Sequence, residues 1–280
     1  MNSIQQAEIL LSDFVINTEK VFGSRIVAIY KFGSLGSHGD FSACSDVDAV
    51  VMLTSIEKGD KEKFAKISEE ITSIGEPYSD RLSIFWSSVK NDDFSKGIGR
   101  FPALDRLDFI QHAILMAGDD CRHGLTAPLH EEIVKESAEF ILGFMLTPEK
   151  YHELTAAPEV ILAKGARYLT KFVLFPVRLT FTLDKPGVIG SNADSLKHFV
   201  GQYSAEMASN IMSLIKQAYT LRSRNPSETV MIDKRQFHCA LLQLYIFCLK
   251  RYIEAIALYD DMNEVRQKLK TKLLTLASKN

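Results

Sequence analysis

Two aspartates one residue apart, Asp46 and Asp48, follow a Gly-Ser pair, Gly33 and Ser34, with eleven residues between Ser34 and Asp46. In an extended strand, residues i and i+2 project from the same face. A strand over 47–53 would therefore present both carboxylates together while Val47 turns into the core. As bare anions the two repel. Around a hard divalent cation they become complementary, and magnesium takes carboxylate oxygens together with substrate phosphates. Two such ions about 3.5–4 Å apart can clamp the attacking and leaving oxygens of an in-line phosphoryl displacement. The Gly-Ser turn supplies the other half of that chemistry. Gly33 lacks a Cβ and tolerates positive φ, so backbone N–H groups can close on a triphosphate. The Ser34 hydroxyl adds a donor, and Gly36 and Gly39 extend the same flexible loop.

The elements that must position these residues are short and apolar. Ile26, Val27, Ala28, Ile29 and Tyr30 precede the Gly-Ser pair, and Ala49, Val50, Val51, Met52 and Leu53 follow the aspartates. Strand, Gly-Ser turn, spacer, Asp-x-Asp and strand together resemble the signature of the DNA polymerase β-like nucleotidyltransferase superfamily. The resemblance implies that Asp46 and Asp48 are catalytic and hold Mg2+, two ions in all, and that Gly33 and Ser34 bind the nucleotide. It also implies an NTP co-substrate, ATP being the first expectation. A nucleoside monophosphate would pass to a hydroxyl and pyrophosphate would leave. The superfamily usually adds a third carboxylate on its third strand. Here that strand reads Arg81-Leu82-Ser83-Ile84-Phe85-Trp86-Ser87, with Ser83 at the expected position. Asp80, at the strand entrance, is the substitute read as the third catalytic residue and base; its plain reading is a turn residue in Tyr78-Ser79-Asp80. Glu76 is a poorer candidate, and Glu136 or Glu139 from the helical half could serve as base instead.

Along the chain the pattern changes character. Residues 4–21 carry Ile4, Ala7, Leu10, Leu11, Phe14 and Val15 at helical spacing. Strands are expected at 25–31, 47–53, 82–89 and 113–117, with a helix over 57–74. From about Pro128 onward the pattern is helical, in segments 129–145, 159–183, 193–200, 204–224 and 234–257 and a charged tail at 261–278. The fold class is α+β: a nucleotidyltransferase domain over 1–127, then a helical bundle over 128–280. This layout is similar to that of antibiotic nucleotidyltransferases of the aminoglycoside-modifying type. Ala113-Ile114-Leu115-Met116-Ala117-Gly118-Asp119-Asp120 looks like their late strand and Gly-acidic turn. Ala163-Lys164-Gly165-Ala166-Arg167-Tyr168-Leu169, continuing to Gly187-Val188-Ile189-Gly190-Ser191-Asn192, looks like their bundle helix and the loop after it. The likeness implies a small-molecule acceptor such as an aminoglycoside-like antibiotic, and a part in antibiotic resistance.

On the 159–183 segment, Lys164, Arg167, Lys171 and Arg178 recur at spacings of 3, 4 and 7 and so share a helical face. Facing a nucleotide, Lys164, Arg167 and Lys171 would neutralise a triphosphate or departing pyrophosphate; otherwise they form a solvated basic face. Pro176 is expected to kink or end that helix, which sets Arg178 apart. Lys31 is expected on an exposed strand face. Trp86 and the helix bearing Phe237, Leu241, Leu244, Tyr245 and Cys248 read as core.

Composition bounds the remaining function classes. The formal net charge of the 280 residues is −2, so a generally basic nucleic-acid-binding surface is not indicated. The chain opens polar, and its longest apolar candidate, 240–249, is about half of a bilayer span. A cytoplasmic location with no membrane partner is therefore expected. Cys44, Cys121, Cys239 and Cys248 lie far apart without C-x-x-C spacing and read as reduced thiols, and no two of the seven histidines fall in H-x-x-x-H. Two other readings stay open: nucleotidyl transfer to tRNA or protein, and a non-catalytic nucleotide- or partner-binding relic of the fold. The absent third-strand acid favours the relic, and the intact Asp46-x-Asp48 opposes it.

Overall fold

The apolar run after the aspartates folds as β2 (Val47–Leu53), buried along nearly its whole length. A strand reads as a continuous apolar run when both of its faces are covered, and that is its setting in the computed structural model, which describes residues 2–75, 78–228 and 230–279. Among them β1 (Ile26–Phe32), β2, β3 (Leu82–Ser88) and β4 (Ile114–Gly118) form one sheet in the order β3-β2-β1-β4. β1 runs antiparallel to both neighbours, and β2 runs parallel to β3. A parallel pair needs a crossover, supplied here by α2 (Asp60–Ser73).

One face of the sheet is covered by α1 (Ser3–Phe22) and α2. Leu10, Leu11 and Phe14 of α1, with Phe64, Ile67 and Ile71 of α2, share a core with Ile29, Val47, Ala49, Val51 and Trp86. Phe64 is stacked between Phe22 at 4.5 Å and Trp86 at 4.6 Å. The other face carries Tyr30, Phe32, Val50, Met52 and Phe85. It packs against Phe94 of α3 (Asn91–Ser95), Phe101, and Phe109 of α4 (Ala103–His112). The start of α2 is fixed by Asp60, buried to 1% exposure. It accepts from Arg25 Nη1 at 2.9 Å and Nη2 at 2.7 Å, and from the Glu57 backbone N–H at 2.8 Å. Lys31 does not lie on an open strand face as expected: it is partly buried and ion-paired with Glu8 of α1.

The chain divides into two compact units, Met1–Leu129, just described, and His130–Asn280. The second is helical: α5 (His130–Phe140) with a π-helical turn at Ile141–Met145, α6 (Pro148–Ala156), α7 (Pro158–Ala163), α8 (Ala166–Asp184), α9 (Asn192–Tyr203), α10 (Ser209–Leu221), α11 (Lys234–Ala255) and α12 (Asn263–Ala277). α11 packs against α8, α10 and α12, which is why it is apolar nearly all round. No helix among the described residues is long and apolar enough to cross a membrane.

The 159–183 segment differs from the expectation in its continuity. It is not one helix: Gly165 separates α7 from α8 at φ +91°, where a Cβ would lie 2.7 Å from the Pro226 carbonyl. Pro176 does not end α8, which continues to Asp184. A proline has no N–H for the carbonyl four residues back, here Phe172. That carbonyl instead accepts from the buried Tyr245 hydroxyl of α11 at 3.1 Å. The short α3, α4 and α6 have no counterpart in the periodicity, since five to ten residues give too few turns to establish it. The expected start at 204 moves to Ser209 in α10, and Glu76 and Pro77 lie outside the described residues.

Candidate active site at the Gly-Ser turn and Asp-x-Asp strand

β1 ends where the Gly-Ser turn begins, and its antiparallel partner places Phe32 opposite Asp48. The turn thus starts beside the strand that carries the aspartate. Gly33, at φ +61°, sits so close to Asp48 that a Cβ would lie 2.6 Å from the carboxylate Oδ2 and 3.3 Å from Cγ. Two constraints coincide there, a backbone angle that L side chains avoid and a contact that leaves no room for one. Ser34 follows in a short 3-10 segment, Gly33–Leu35, closed by the Gly36 N–H on the Gly33 carbonyl at 3.0 Å.

The spacer is tied down at several points. The Ser37 N–H donates to the carbonyl of His112, at the end of α4, at 2.9 Å. Gly36 lies against the same carbonyl, where a Cβ would stand at 2.6 Å. Nearer the aspartates, the Ser45 hydroxyl accepts from the Ser42 N–H at 3.0 Å and Arg81 Nη1 donates to the Ala43 carbonyl at 2.6 Å. Arg81 also lies over the Tyr78 ring, which meets Phe41. Asp46 is therefore delivered to the mouth of β2 by an ordered loop. Val47 is fully buried in the core under α1 and α2. By strand alternation Asp48 falls on the opposite face with Val50 and Met52. Asp46 and Asp48 are both half-buried, and carboxylate oxygens at i and i+2 of a strand are hard ligands of the kind that suit magnesium rather than a soft metal.

Ser83 stands in register with Asp48 across the β2–β3 ladder, at the place where the third acid was sought. Its hydroxyl is 3.4 Å from Arg100 Nη2, whose Nη1 donates to the Ile84 carbonyl at 2.8 Å while the guanidinium covers Phe85 at 5.0 Å. A cation thus stands beside the third-strand position. Asp80 lies in the 3-10 turn Ser79–Arg81, with its side chain 70% exposed and 3.6 Å from Arg81 Nε.

In the second unit, Lys164 follows the end of α7 and is not part of α8, which begins at Ala166. Arg167, Lys171 and Arg178 keep a common face of α8. Lys164 Nζ instead reaches Glu153 at 2.5 Å and Glu149 at 3.0 Å. Those two bonds, Glu153 first, hold its pKa above the ordinary lysine value. The Tyr168 hydroxyl donates to Glu153 at 2.7 Å, and burial together with that acid pushes it up to about 12. The first N–H groups of α8 are also taken, Ala166 by the Glu228 carbonyl and Arg167 by that of Pro226.

Sequence reading missed one group altogether. His38 of the spacer meets Asp108 and His112 of α4, with one ligand atom from each within 4.8 Å of the others. The absence of H-x-x-x-H hid it. Asp108-x-x-x-His112, spaced one helical turn apart, was the available signal.

No family model matches the chain, and no curated protein matches it in sequence. In fold it is similar to the spectinomycin adenyltransferase AAD(9) from Enterococcus faecialis, solved with ATP and spectinomycin, at a TM-score of 0.54. The match covers 85% of this chain and 97% of that chain at 12% sequence identity. At that identity the likeness is one of fold: a small mixed sheet with flanking helices, followed by a helical region.

Proposed function

We propose that this chain is a nucleotidyltransferase that moves the nucleoside monophosphate of a magnesium-bound NTP, ATP first, onto a hydroxyl of a small-molecule acceptor of the aminoglycoside-like class. The carrying observation is the fit of Gly33 against the Asp48 carboxylate, which supports reading the turn as the phosphate cradle and Asp48 as a metal ligand. The fold likeness to an adenyltransferase solved with ATP and an antibiotic supports the same reading. Asp46 and Asp48 would hold Mg2+, two ions in all, which would neutralise charge on the phosphates as the α–β bridge breaks. Gly33 and Ser34 hold the phosphates in line. The acceptor oxygen attacks the α-phosphorus, the bond to the bridging oxygen breaks, and pyrophosphate departs with that electron pair. The acceptor proton goes to a carboxylate, for which Asp80 is the candidate on the β3 side.

The test is calorimetric titration of the chain with ATP, with and without magnesium, followed by a pyrophosphate-release assay against a panel of aminoglycosides and spectinomycin. Binding that requires magnesium and is lost in Asp48→Asn supports the reading. ATP binding indifferent to magnesium and to Asp48 rejects it. One observation favours a second reading: Arg100 beside Ser83, where the superfamily keeps an acid, suits a site that binds nucleotide without turning it over. Magnesium-dependent binding with no pyrophosphate release from any acceptor would select that one.

A further inference from the structure

Besides the Asp-x-Asp pair, three metal-ligating side chains converge where the spacer meets the end of α4. His38 Nε2 is 3.0 Å from Asp108 Oδ1, and the His38 and His112 rings are 3.7 Å apart. The geometry points to a second metal site, for a zinc-class transition-metal ion held by His38, Asp108 and His112. It is independent of the nucleotide reading.

The donor set carries the choice of ion. Two imidazoles and one carboxylate suit zinc and its neighbours, and they suit magnesium poorly. Zinc bonds of about 2.0–2.1 Å place tetrahedral ligand atoms roughly 3.3 Å apart, and the His38–Asp108 separation is already close to that. Asp108 and His112 stand four residues apart on α4 and so share a face. The His38 and Asp108 side chains are only 7% and 9% exposed, so those two ligands are largely screened from water, while His112 is half-buried. It is also braced before any ion arrives. The Ser37 N–H on the His112 carbonyl and the close seat of Gly36 lock loop to helix end. Ser37 Oγ pairs with His112 Nδ1 at 2.9 Å. That bond holds the ring, the usual way an outer partner orients a ligating imidazole. Three protein ligands leave a fourth position for water or another small ligand.

Chelator-stripped full-length protein is titrated by calorimetry with zinc chloride, desalted, and analysed for metal; a parallel titration uses cobalt chloride and visible absorption. One retained equivalent of zinc is expected, with cobalt bands of a low-coordinate site. His112→Gln and Asp108→Asn should each lose that equivalent. Ser37→Ala, which keeps all three ligands, should weaken affinity about tenfold or more. The double variant Asp46→Asn, Asp48→Asn should retain the zinc, which separates this site from the carboxylate pair. Circular dichroism in chelator checks that each variant folds; should a ligand variant fail to fold, His38→Gln and Ser37→Ala decide. Wild-type protein that retains no zinc, folded ligand variants that keep the full equivalent, or zinc lost only with the Asp46 and Asp48 substitutions would each overturn the assignment.

Discussion

At the scale of single residues, Gly33 and Ser34 make the sharpest contrast. Ser34→Ala removes one hydroxyl and should weaken Mg–ATP binding by about 1 kcal/mol, the usual net worth of a hydrogen bond. Gly33→Ala places a Cβ on the Asp48 carboxylate at a positive φ, so it should cost more than tenfold in affinity with the fold intact by circular dichroism. Equal small effects in calorimetry would detach this turn from the nucleotide. Asp80 is tested separately: Asp80→Asn should lower turnover about a hundredfold, the scale of general-base loss, with ATP affinity nearly unchanged. Normal turnover would assign the proton to another group. The sequence carried Gly33, Ser34, Asp46 and Asp48 plainly, because a strand's two-residue period and a glycine's freedom are local properties. It could not show that Arg100, seventeen positions after Ser83, would come to stand beside that serine, since nothing local encodes that contact.

At the scale of elements, the entry of α2 rests on the Arg25–Asp60 pair. Asp60 is buried, and its bonds from Arg25 hold its carboxyl below the ordinary range. A depressed carboxylate stabilises the fold fully above its unfolded pKa of about 3.9, and that share fades as pH falls through the lower folded value. Asp60→Asn should cost about 1–3 kcal/mol at pH 7, because it removes the buried charged partner of Arg25, which keeps Glu57 and the Ser55 carbonyl. The variant should also lose less stability than wild type between pH 4 and pH 2, as read by thermal unfolding across that range. Wild-type and variant acid limbs of equal slope would mean that Asp60 ionises alike in both states. The charged periodicity of 57–74 foretold this helix but not its anchor, whose two halves lie 35 residues apart. Gly165 shows the opposite limit. Cations three and four residues apart imply a shared face only while one helix runs through them, and a glycine pressed on the Pro226 carbonyl interrupts it.

At the scale of the whole molecule, the change from short apolar runs set among helices to an almost wholly helical pattern was legible in the sequence, because strand-length runs and the helical period are local signals. The His38, Asp108 and His112 convergence was not, because it joins a loop to a helix seventy residues later. With two compact units the chain need not unfold in one step, so stability changes in the helical unit are best read from its own transition. Tyr245→Phe should lower that transition by about 1–3 kcal/mol, the cost of a buried carbonyl left unpaired. The same change in a Pro176→Ala background should cost measurably less, since residue 176 then offers the Phe172 carbonyl an N–H of its own. Identical costs in the two backgrounds would show that the hydroxyl is not replacing the missing donor. The proline in α8 and the tyrosine in α11 are thus one epistatic unit. A lineage that has taken the proline is held to a donor on the facing helix, and the tyrosine becomes free to drift only after the proline is gone.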